Sequence, residues 1–206
     1  MWQRRQVRGF LLAASMLAIA LAPAITPPTA GAAPGRAGAA TEAHSAALTL
    51  RSPDISSGAT IRSKYIYDHS GCNGGNLSPA FSWSHVPAGT RSFALLVFDP
   101  DAPMGGFWHW AVFDIPAGVR SLRAGAGDPA KSLLPRGALQ TRNDYGFLGY
   151  GGPCPPSGSL HHYHFILYAL KVAKLGLGAG AAPEQVSSRV SADALGEADI
   201  VATYSQ

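Results

Sequence analysis

The chain has 206 residues, 47% of them hydrophobic and 14% charged, with a formal net charge of +4. That length suits one domain, and that composition excludes a disordered chain. Arg4, Arg5 and Arg8 all precede residue 10; without them 13 basic residues face 12 acidic ones, too even a balance for a dedicated nucleic-acid binder.

In chain order, the first element is an address. Residues 1–9 carry three arginines and no acid, residues 10–22 are an apolar run, and Ala30-Gly31-Ala32 follows as a small-residue cleavage site. This is the pattern of a secretory signal peptide spanning residues 1–32. Thirteen apolar residues reach only about 20 Å as a helix, short of the roughly 30 Å of a bilayer core, so no membrane anchor is expected. Residues 33–45, rich in Ala and Gly, read as a flexible leader, and 46–206 as the folded domain. Export to the periplasm or medium follows. In that oxidising setting Cys72 and Cys154 form one disulfide or remain as two thiols; pairing is the expectation.

The body reads as short strands at 47–50, 81–83, 92–98, 110–115 and 163–170, with a last strand at 200–204. Turn signals bound them at Asn73-Gly74-Gly75, Pro87-Ala88-Gly89, Pro116-Ala117-Gly118 and Pro155-Pro156-Ser157-Gly158. One helix is expected from Pro183, with Val186, Val190 and Leu195 at roughly helical spacing. The fold class is mainly β: an antiparallel β-sandwich with a few short helices, one near the C-terminus.

Three clusters in loops carry candidate chemistry: Asp99-Pro100-Asp101-Ala102-Pro103, Phe107-Trp108-His109-Trp110, and the glycine- and proline-rich stretch 149–158 followed by His161-His162-Tyr163-His164. These stretches resemble the phosphatidylethanolamine-binding protein family, in its bacterial Raf-kinase-inhibitor-like branch. Asp99 to Pro103 with His109 is similar to one family signature. Gly149 to Gly158 with His161 and Tyr163 is similar to the other. Ser78-Pro79-x-Phe81-x-Trp83 and residues 86–93 also fit the branch, and the likeness runs from about residue 47 to 205. Trp108 stands where the eukaryotic branch has a second histidine, and the C-terminal helical region is reduced, so kinase regulation is not carried over. The resemblance implies a β-sandwich with a small anion pocket at Asp99, Asp101, His109, Pro155, His161 and Tyr163. It also implies a cis peptide at Ala102-Pro103.

The chemistry of those residues suits an anion. His109 and His161 donate hydrogen bonds and carry charge when protonated; Tyr163 adds a hydroxyl, and glycine-rich backbone offers N–H groups. Asp99 repels an anion unless it holds a histidine as imidazolium or meets a ligand ammonium. A zwitterion such as phosphoethanolamine reconciles both signs. Asp101 serves equally as a turn cap, and His162 and His164 read as structural or surface residues. The histidines and aspartates match no compact zinc spacing, Cys154–His161 fails as a nucleophile pair once Cys154 is oxidised, and no Gly-x-Ser-x-Gly elbow occurs. A non-enzymatic binding protein without metal or cofactor is expected, taking a small phosphorylated or zwitterionic ligand. The alternative is a secreted modulator or inhibitor of a partner protein such as a protease, presenting residues 124–142 as an inserted loop.

Overall fold

The computed structural model describes residues 47–206. The expectations of a signal peptide at 1–32 and a leader at 33–45 lie outside the described residues. Two antiparallel sheets pack face to face. The smaller orders β1 (Thr49–Arg51), β2 (Phe81–Ser84) and β5 (Ser121–Leu122) as β1-β2-β5. The larger holds β3 (Ser92–Asp99), β4 (Phe107–Pro116), β6 (Leu139–Gln140), β7 (His161–Leu170) and β8 (Ala194–Tyr204), ordered β6-β4-β3-β7-β8.

The two-residue period of the long strands builds the core. On β3, Phe93, Leu95 and Val97 face the small sheet, meeting Leu50, Phe81, Trp83 and Leu122. On β7, Tyr163, Phe165 and Leu167 do the same, and Phe81–Phe165 and Trp83–Phe93 ring pairs at 5.6 and 5.4 Å bridge the sheets. The alternate residues Ala94, Leu96, Ala111 and Phe113 face the other way, against α1 (Pro183–Asp193) through Val186 and Val190. β3 is thus buried on both faces, which is why it reads as a continuous apolar run.

Pro183 opens α1 as expected, where its missing N–H costs nothing. The helix stops before Leu195. Ala194 is already extended (φ −67°, ψ 134°), and Leu195 lies on β8, 40% exposed. β8 also begins six residues ahead of the expected 200, and β5 and β6 are additional strands of two residues each. All peptide bonds among the described residues are trans, Ala102–Pro103 included, contrary to the expectation of a cis bond there.

Candidate functional site

The site is built where β3, β4 and β7 end on the same rim. Regular alternation on β3 carries Asp99 to the inner face two residues beyond Val97, and alternation on β7 places His161 and Tyr163 there ahead of Phe165. β4 arrives out of phase. Val97 pairs with Trp110 and Phe98 with Trp108, so His109 has no partner across the ladder. This β-bulge lets His109 and Trp110, adjacent in sequence, both face inward, while Trp108 turns out against Phe98 at 4.4 Å between ring centres.

These side chains close around a cavity of about 130 Å³. It is lined by Asp99, His109, Pro155, His161 and Tyr163, together with Phe107 and Tyr145. That volume is well below the roughly 300–1,000 Å³ of a drug-sized pocket, so it admits a small group only. The polar walls are deeply buried: Asp99 is 3% exposed, His109 2%, His161 6% and Tyr163 0%.

Each polar group has a defined partner except one. His161 Nδ1–H donates to Asp99 Oδ2 at 2.7 Å, and the Asp101 N–H donates to Asp99 Oδ1 at 2.9 Å. The aspartate therefore holds His161, not His109. His109 donates Nδ1–H to the Gly151 carbonyl at 2.7 Å. Burial pushes this imidazole down to about 4, against the raising pull of the Gly151 carbonyl and the Asp99 carboxylate, so it is neutral near pH 7. The Tyr145 hydroxyl donates to the Gly152 carbonyl at 2.9 Å. The Tyr163 hydroxyl is buried and has no partner. Burial, reinforced by the Asp99 charge, raises its pKa and keeps it protonated.

Five of the six candidate residues thus share one cavity. Asp101 does not reach it. Its Oδ2 accepts from both the backbone N–H and Nδ1–H of His162 at 2.7 Å, and those bonds hold its carboxyl below the usual range. His164 pairs with Asp199 at 2.6 Å, half-buried on the outer face. The glycine-rich loop does not form a free cradle of N–H groups. Gly149 donates to Thr141, Gly151 to His109, Gly152 to the Asn76 side chain and Gly158 to Gln206. Phe107 and Tyr145 line the cavity without having been picked out as candidates. Phe107 lay inside the Phe-Trp-His-Trp cluster, but only the bulge decides which of those rings faces in. Tyr145 comes from a loop with no sequence signal for its direction.

The loop 149–158 is pressed onto the body. A Cβ at Gly152 would strike the Tyr65 carbonyl oxygen and come within 2.5 Å of the Tyr67 nitrogen, so only glycine fits. Cys154, on the cavity wall, is joined to Cys72 by a disulfide across a separation of 82 residues. Residues 124–142 are anchored near both ends, by Gly127 N–H to Ser78 Oγ at 2.9 Å and by pairing of β6 with β4, while residues 129–132 and 136–137 between them are exposed. Among the described residues no group of three or more His, Cys, Asp or Glu is placed to hold a metal ion, and no helix is long and apolar enough to cross a membrane.

A β-sandwich with a small rim cavity, walled by aromatic and proline side chains around a few buried polar groups, has the form of a small-ligand-binding protein. Residues 51–205 match the family profile described as phosphatidylethanolamine-binding protein. The chain is 43% identical over 164 residues to the UPF0098 protein YbcL of Escherichia coli, covering 79% of this chain and 90% of that one. It is 39% identical to Escherichia coli YbhB, covering 77% of this chain and all of the relative. A putative lipoprotein LppC of Mycobacterium tuberculosis is 39% identical over 76% of this chain and 72% of its own. The crystal structure of Escherichia coli YbcL superposes with a TM-score of 0.76 at 41% identity, over 78% of this chain and 99% of that one. The chain belongs to the phosphatidylethanolamine-binding protein family, a family of ligand-binding proteins.

Proposed function

We propose that this protein is an exported, non-enzymatic binding protein whose rim cavity takes the phosphoryl group of a small phosphorylated or zwitterionic ligand, with Asp99, His109, Pro155, His161 and Tyr163 as its walls. The observation that carries the reading is the Tyr163 hydroxyl: a donor, fully buried, without a protein acceptor, on the wall of a cavity sized for one small group. Buried polar groups are normally paired, and an unpaired one beside a cavity marks the place of an absent acceptor. A phosphoryl oxygen fills it. The Asp99 charge is offset by the His161 Nδ1–H and the Asp101 N–H, which lowers its repulsion toward an anion.

Binding rather than catalysis fits the partners. His161 is tied to Asp99, His109 to a backbone carbonyl and Cys154 to Cys72, which leaves no nucleophile–base pair on the cavity wall. Export rests on the leader of the sequence and on the lipoprotein named among the relatives. A chemical-shift titration of the exported protein with inorganic phosphate and phosphoethanolamine tests the reading. Saturable shifts at His109, His161 and Tyr163, with dissociation constants between about 1 μM and 1 mM, are expected for so few contacts. No saturable shift with either compound overturns it. N-terminal sequencing of protein recovered outside the cytoplasm tests the export: a chain still beginning at Met1 refutes it.

A further inference from the structure

The cavity has more acceptors than donors. The groups packed around His109 are Asp99 from β3, His161 and Tyr163 from β7, and Tyr145 and Gly151 from the loops. His109 uses its Nδ1–H on Gly151, so as a neutral ring it presents Nε2 as a lone pair, with no protein donor to fill it. Asp99 adds a carboxylate. The Tyr145 hydroxyl is turned to Gly152, the four glycine N–H groups of the loop 149–158 are engaged elsewhere, and Pro155 and Pro156 have none. Against these acceptors stands the Tyr163 hydroxyl, since the Nδ1–H of His161 is already spent on Asp99. An oxyanion stripped of all protons would meet Tyr163 well but would set its own lone pairs against His109 Nε2 and Asp99.

We propose that the ligand brings its own hydrogen-bond donor to His109 Nε2, so that the cavity selects groups carrying an N–H or O–H beside an anionic oxygen and rejects oxyanions without one. This rests on the reading of the cavity as a phosphoryl site. Two sources supply that chemistry. A phosphate monoester in its singly protonated form has a P–OH. A phosphodiester has none, and needs a neighbouring primary ammonium. The proton stays on the ligand; it is shared in a hydrogen bond, not transferred. A site whose buried acceptor is left unpaired discriminates strongly against the analogue lacking the donor.

Four ligands and two pH values test this on the full folded protein by calorimetry or chemical-shift titration. Methyl phosphate and dimethyl phosphate at about pH 5.5 both carry roughly one negative charge, since the second ionisation of a phosphate monoester lies near 6. Only the first has a P–OH. Dimethyl phosphate is expected to bind at least tenfold more weakly, and methyl phosphate to lose at least tenfold in affinity on going to about pH 8. Glycerophosphoethanolamine and glycerophosphocholine are both phosphodiester zwitterions, and only the first has N–H donors. If the ammonium is the source, the first binds at both pH values and the second at neither. Discrimination within one pair identifies the source of the donor and supports the inference. Equal binding within both pairs overturns it while leaving the phosphoryl reading intact. Absence of binding by all four at both pH values overturns the phosphoryl reading itself, and this inference with it. Where both pairs bind equally, an affinity for methyl phosphate that still falls with pH assigns that pH dependence to the protein.

Discussion

Replacing Tyr163 by phenylalanine should make the empty protein more stable and its ligand complex weaker. The hydroxyl is fully buried and unpaired, while the ring stays packed, with His109 edge-on at 5.2 Å between ring centres. A buried hydroxyl left without a partner costs about 1–3 kcal/mol. Here Tyr163 lines a cavity of about 130 Å³, roomy enough for water, so the lower end applies. Removing it gains about 1 kcal/mol, which for a domain of this size is about 2–4 °C in melting temperature. Scanning calorimetry at neutral pH without ligand reads that rise directly. With phosphoethanolamine present the order changes. Loss of one hydrogen bond weakens binding by about 1 kcal/mol, roughly fivefold, so the ligand-induced rise in melting temperature shrinks in the variant. A Tyr163→Phe protein that melts several degrees below the parent without ligand would show that the hydroxyl already has a partner in the empty state. That result removes the observation on which the ligand reading stands.

Three more outcomes follow from the same geometry. The His109 imidazole titrates near 6.5 unfolded and near 4 folded, so between those values the unfolded chain holds more protons; stability is complete above about pH 6.5, declines as pH falls toward 4, and loses on the order of 3 kcal/mol, a slope that denaturant unfolding as a function of pH should find flattened in His109→Gln. Joint replacement Cys72→Ser and Cys154→Ser releases a loop of 82 residues and should lower stability by up to about 4–5 kcal/mol in the chain-entropy account, measured by urea unfolding against the oxidised parent. Gly152→Ala forces a methyl group into the Tyr65–Tyr67 backbone and should cost about 3 kcal/mol; a variant with an unchanged urea midpoint contradicts the close packing of that loop.

The long strands could be read from the chain because burial leaves a mark in residue type. β3 and β7 are apolar runs bounded by turn residues, and Val186 and Val190 mark the single helical face. β5 and β6 left no such mark; two residues are too few to show any period, and their pairing is set by β2 and β4. Leu195 sat at helical spacing by coincidence, since the chain had already turned into β8. In the site, Asp99, His109, His161 and Tyr163 stood out through their neighbours in sequence. What could not be read was direction. Asp101 follows Asp99 by two residues but lies past the end of the strand, and His162 captures it. The aspartate–histidine pairing fell on His161 rather than His109 because β7, not β4, brings a ring nitrogen to Asp99 Oδ2. The four glycine N–H groups looked available only because their acceptors, on Thr141, His109, Asn76 and Gln206, all lie outside the loop itself.

The bulge on β4 makes His109 a supernumerary residue of the ladder. Trp110 and Trp108 pair with consecutive residues of β3, so the strand would close in regular register if residue 109 were absent, with Trp108 still outward and Phe107 still at the cavity. The imidazole is therefore an addition to a sheet that does not depend on it for pairing. A one-residue insertion between two tryptophans is the smallest heritable step that installs this side chain, and its deletion is the smallest that removes it. Substitution along a regular β4 would reach the cavity only at position 107, which the ring of Phe107 already fills. In this chain the inward position at 109 is thus a product of strand length, and the histidine there a separate choice of side chain.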